Sequence, residues 1–119
     1  MKERYKESLE NINQLDEAVG GDSFLDFYRG NILYAQGDLE AAEAYFMTAT
    51  SENPDFLDAY DGLLTVYIDG KQNKKAVEIL NYFVNHFGVT KSDLAPAIEG
   101  EPSYSVFAKS KEYKACKTN

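Results

Sequence analysis

The sequence holds a single cysteine, a single histidine and only twelve basic residues among its 119. With Cys116 alone, no internal disulfide can form and nothing points to an oxidising compartment; in its lysine-rich tail it reads as a free thiol. One Cys and one His thirty residues apart do not supply the ligand spacings of a metal site, and no oxygen-rich loop replaces them. Twenty acidic residues outnumber the bases, giving a formal charge of -8 and a pI near 4.6. Binding to a phosphate backbone needs clustered Lys and Arg to displace counterions, so DNA and RNA are excluded as partners. No run approaches the 18 apolar residues of a membrane span, and the stretch MKERYKESLENI is too polar for a signal-peptide core. The default compartment is the cytoplasm, an export signal upstream of Met1 being the alternative.

Catalytic groupings are equally scarce. His86 stands near the end of an amphipathic stretch beside Phe87, where an imidazole serves the last carbonyls and the helix dipole rather than a nucleophile. Gly20-Gly21 lacks the preceding strand and the Lys-Ser or Lys-Thr pair of a phosphate loop. Asp58 and Asp61 have the residue type for acid–base work but sit on a helix with no deep pocket expected around them. The expectation is a chain that is not an enzyme and carries no cofactor and no metal.

What the sequence does have is apolar area and a period. Hydrophobic residues make up 44%, with nine Tyr and seven Phe, enough for the core of one domain of this length. Gly37-Asp38-Leu39 through Ala42 aligns with Lys71-Gln72-Asn73 through Ala76, so Ala42 falls 34 residues before Ala76. In the later copy Ala76, Leu80, Phe83, Val84 and Phe87 form an apolar stripe at helical spacing, and Leu39, Ala42, Phe46 and Ala49 do so in the earlier one. Another helical stretch precedes each, over 24–36 and 57–69, closed by Gly37 and Gly70 as residues that accept a left-handed helix end. Each unit is therefore a helix, a tight turn and an antiparallel helix. Asn53-Pro54 ends the first unit, because proline has no amide hydrogen and disfavours helical geometry before it; Gly88 stands in the matching place of the second.

Residues 2–18 form one more amphipathic helix with Tyr5, Ser8, Leu9, Ile12 and Leu15 inward, reading as the second helix of a half repeat over 2–22. Repeat 1 then occupies 23–56, repeat 2 57–90, and a cap and tail 91–119, all in a single domain. The spacing predicts a short helix over about 92–98 and a final one over about 103–114 with Tyr104, Phe107 and Tyr113 facing in; such atypical ends cap helical repeats.

The segment SFLDFYRGNILYAQGDLEAAEAYFMTATSENPDF resembles the tetratricopeptide-repeat family. Its small residues match Gly30, Ala42 and Ala49, its aromatic Phe46 and its terminating proline Pro54; in the second unit the matches are Tyr60, Leu63, Tyr67, Ala76 and Leu80. The resemblance implies an all-α solenoid of helical hairpins wound in a right-handed superhelix, with capping helices at both ends. Two departures stand out. Asp26 and Arg29 replace a large aromatic and a leucine, a pair at i and i+3 expected either on a rotated helix or where a preceding repeat would sit. Phe83 replaces a small residue, so a looser second hairpin is expected beneath the C-terminal cap.

By similarity to the family, the first helix of each pair lines a concave groove, here with Phe24, Phe27, Asn31 and Tyr34 and then Asp58, Asp61, Thr65 and Ile68. One family subtype grips a C-terminal carboxylate with Lys, Asn and Arg. Only Asn31 of that set is present, Phe27 and Gly62 take two of the other places, and the two aspartates would repel the ligand. The resemblance thus implies a protein-interaction module binding an apolar or basic peptide or helix by aromatic anchors. The alternative is a structural role, by docking within a larger protein or by forming a homodimer through the terminal helices.

Overall fold

The computed structural model describes residues 23–118. The helix expected over 2–18 lies outside them. Among the described residues the chain is all-α, with one short 3-10 turn and no strand, and no helix is long and apolar enough to cross a membrane. Contacts divide the chain into two compact units, Met1–Val66 and Tyr67–Asn119, the division falling inside the third described helix.

In the first unit, α1 (Ser23–Ala35) and α2 (Leu39–Glu52) pack as a hairpin, followed by α3 (Leu57–Asp69). The turn closes on Gly37 at φ 85°: its N–H donates to Tyr34 O (2.9 Å), and the Asp38 N–H donates to Leu33 O (2.9 Å). These two bonds satisfy carbonyls that a helix end would otherwise leave open, a geometry that favours glycine. Asp38 also starts α2, its carboxylate accepting from Ala41 N–H at 3.2 Å. At the far end Asn53 Oδ1 accepts from Asp55 N–H (3.1 Å), fixing the Asn53-Pro54 exit. The α2 stripe is as expected: Ala42 and Ala49 are fully buried and Phe46 nearly so.

Phe46 is gripped from two sides. A Cβ on Gly30 of α1 would lie 2.6 Å from Phe46 Cε1, and one on Gly62 of α3 would lie 2.8 Å from the same atom. The absence of both side chains is what lets three helices share one ring. Phe27 extends this cluster, its ring 5.9 Å from Phe46 and 5.1 Å from Phe56, with Ala49 and Ala59 buried alongside Phe56.

Asp26 and Arg29 are not on an exposed edge. Both are buried, with Arg29 Nη1 donating to Asp26 Oδ1 at 2.7 Å and the guanidinium 5.8 Å from the centre of the Tyr45 ring. One turn of helix separates them, so the pair forms within α1 itself.

The second unit takes the end of α3, a turn and α4 (Asn73–Phe87). Here the left-handed residue is Lys71 (φ 61°), not Gly70. Lys71 N–H donates to Ile68 O (3.1 Å) and Gln72 N–H to Tyr67 O (2.8 Å), the bonding seen at Gly37 shifted by 34 residues. Gln72 begins α4 with no side-chain cap, where Asp38 caps α2. Two local defects therefore sit side by side, and each predicts a gain. Lys71→Gly should stabilise by about 1 kcal/mol, since a left-handed backbone burdens a Cβ-bearing residue by that order. Gln72→Asp should add about 0.5–1 kcal/mol by capping α4 and placing an anion at its positive end. Urea midpoints with unchanged slope measure both; a lower midpoint for Lys71→Gly would contradict the turn geometry.

The α4 stripe buries Ala76, Leu80 and Phe83. His86 is exposed and stacks on Tyr82, ring centres 4.7 Å apart. After Gly88 in the left-handed region (φ 74°) come α5 (Lys91–Glu99), the 3-10 turn Pro102–Tyr104, α6 (Ser105–Ala108) and α7 (Lys111–Thr118). The single final helix expected over 103–114 is broken at Lys109-Ser110. Ser110 Oγ donates to Phe107 O (2.6 Å) and accepts from Tyr113 N–H (3.2 Å), closing α6 and opening α7. Phe107 and Tyr113 are buried as expected, rings 5.3 Å apart, while Tyr104 is half-buried.

Helix α7 packs on α4. Cys116 is a free thiol, as expected, and half-buried, with Sγ 3.7 Å from Asn81 Oδ1. Glu99 receives Tyr113 Oη at 3.0 Å and Lys117 Nζ at 2.9 Å. Lys117, then Tyr113, hold the Glu99 carboxyl below its ordinary range. The Tyr113 hydroxyl is pushed up to about 12, first by burial and then by Glu99.

Candidate functional site

The candidate site lies wholly in the first unit. On α1, Phe27, Asn31 and Tyr34 recur at i, i+4 and i+7; on α3, Asp58, Asp61, Gly62 and Thr65 recur at i, i+3, i+4 and i+7. Each set therefore forms one face of its helix. These seven and Phe46 line a concavity of about 230 Å³.

Six of the eight residues expected on the groove are thus brought together: Phe27, Asn31, Tyr34, Asp58, Asp61 and Thr65. Phe24 is elsewhere. It lies a turn before Phe27 with its ring 4.8 Å from Phe56, and it remains 56% exposed. Ile68 is also elsewhere. It is buried and lines a different concavity, of about 300 Å³, with Val106 and Phe107 among its neighbours. That concavity belongs to the second unit.

One lining residue, Phe46, was not placed on the groove in the sequence. Phe46 belongs to the core stripe, yet its ring reaches the wall because Gly62 has no side chain to screen it. A glycine at the middle of a helix, where it costs about 1 kcal/mol relative to alanine, was the available signal.

The electrostatics of the concavity are one-sided. Asp58 and Asp61 bring two carboxylates to it and none of the lining residues is basic. Among the described residues neither carboxylate accepts a hydrogen bond or meets a cation. The Asp61 carboxyl is raised from its ordinary value, mainly by partial burial in the concave wall and secondarily by the charge of Asp58. Thr65 turns its hydroxyl to Asp61 O within the helix (3.0 Å). Among the described residues no group of three or more His, Cys, Asp or Glu could hold a metal ion.

A helical hairpin closed by a left-handed turn, with small residues where a neighbouring ring approaches, defines the class of helical-hairpin repeats. A family model described as tetratricopeptide repeat matches residues 29–56, from the middle of α1 through α2 to Phe56, which supports assigning this hairpin to that family. Repeats of this family are generally protein-interaction elements without enzymatic activity. None of the curated proteins and none of the solved structures compared with the chain matches it.

Proposed function

We propose that the chain is a protein-binding module that holds a short apolar or basic segment of a partner against the faces of α1 and α3. The observation that carries this reading is the shared concavity, in which two helix faces present aromatic rings, an amide and two unpaired carboxylates. Aromatic side chains contribute large contact area at little entropic cost and commonly dominate interface energies. A C-terminal carboxylate is a poor occupant, because it would face Asp58 and Asp61.

The test is recovery of partners from native lysate on immobilised protein, with the double variant Phe27→Ala/Tyr34→Ala and the charge reversal Asp61→Lys as controls. A specific partner should bind at least tenfold more weakly to both variants while their helical circular dichroism is unchanged. Retention of that partner by both would rule the groove out.

A structural role is the second reading. Phe24 and Tyr28, one turn apart on α1, are 56% and 52% exposed, an apolar face suited to burial against a second copy. Light scattering separates the two: a dimer that persists on dilution and is lost in Phe24→Ser/Tyr28→Ser favours self-association.

A further inference from the structure

Resting on the groove reading above, we infer that the concavity between α1 and α3 is a socket for one arginine side chain of the partner, with its guanidinium between Asp58 and Asp61 and its stem against Phe27 and Tyr34.

Size decides what can enter. A volume of about 230 Å³ is roughly that of seven or eight water molecules in the liquid, and it falls below the range of about 300–1,000 Å³ usual for small-molecule sites. It suits a single long side chain, not a metabolite or a whole helix.

Charge decides which side chain. The described part of the first unit, residues 23–66, has eight acidic residues and one basic residue, Arg29, and Arg29 is bonded to Asp26 in the interior. No cation in the lining answers Asp58 and Asp61. Burial and the neighbouring charge already disfavour ionised Asp61, and an entering cation removes that penalty.

Shape favours arginine over lysine. Two carboxylates a helical turn apart can each accept from a different edge of a planar guanidinium, which offers five donors and is less strongly hydrated than an ammonium. Guanidinium groups also stack on aromatic faces, which Phe27 and Tyr34 supply. Asn31 adds an amide whose oxygen can accept a further N–H.

The probes are N-acetyl-arginine methylamide, its neutral isostere N-acetyl-citrulline methylamide and N-acetyl-norleucine methylamide, each titrated into the ¹⁵N-labelled 119-residue chain by NMR. The arginine probe should shift the amides of Asn31, Asp58, Asp61 and Gly62 saturably, at least tenfold more tightly than citrulline. Raising salt from 0.05 to 0.5 M should weaken it several-fold. Asp58→Asn/Asp61→Asn should abolish the preference for arginine while leaving the rest of the spectrum in place. Equal shifts from arginine, citrulline and norleucine at these amides would overturn the arginine socket and leave the groove reading standing. No shift at these amides from any probe would overturn both.

Discussion

Arg29→Met should destabilise the protein by about 3–5 kcal/mol, because it strands the Asp26 carboxylate in a buried position without its partner. Asp26→Leu should be of similar severity for the converse reason. The double variant Asp26→Leu/Arg29→Met removes both charges and replaces them with apolar groups of comparable volume. It should recover most of the loss or exceed the parent, since the attraction of a buried pair offsets, at best, the desolvation of its two ions. Urea unfolding of the four proteins forms a double-mutant cycle with a large favourable coupling. Single variants costing under 1 kcal/mol would mean that the pair behaves as an exposed one, for which such values are typical.

Phe46→Ala should cost about 3–5 kcal/mol, the range for emptying a buried aromatic site. The more diagnostic result concerns the glycines around that ring. Gly30→Ala gains about 1 kcal/mol of helix propensity, yet its new Cβ would stand 2.6–2.7 Å from two carbons of Phe46, so the net effect should be a loss of about 1–3 kcal/mol. In a Phe46→Leu background the clash is relieved, and the same substitution should become neutral or stabilising. A reversal of sign between the two backgrounds, read from denaturant midpoints, identifies the ring contact as the reason for glycine. The same small effect in both would remove that reason.

The 34-residue spacing was sufficient to foresee the first hairpin, the recurring turn and the buried stripes, because Ala42, Phe46, Ala49, Ala76 and Leu80 each recur at helical intervals. It also contained the correct left-handed position. Lys71 is 34 residues after Gly37, but an adjacent glycine drew the expectation to Gly70, as propensity competes with register. The Asp26 and Arg29 environment was hidden for another reason: periodicity assigns a face, and burial of a polar pair depends on whether the two groups can satisfy one another. The groove followed the same logic. Helix periodicity alone put Phe24 and Ile68 in line with six residues that do share a concavity. Ile68 instead lines a concavity of the second unit with Val106 and Phe107 of the C-terminal segment, where the period no longer applies. Likewise, the break at Ser110 rests on a hydroxyl that bonds in both directions, which an apolar pattern does not register.

Because one aromatic ring serves as interior packing and as the base of the concavity, the two properties cannot drift apart. Substitutions at Asp58, Asp61 or Thr65 can retune the rim at little expense to the scaffold. A side chain at residue 62 would instead make the hollow shallower and wedge the helices open in the same stroke. Under the proposed binding role, changes of partner should therefore fall on the rim and spare the base, so that depth is inherited while charge is negotiable.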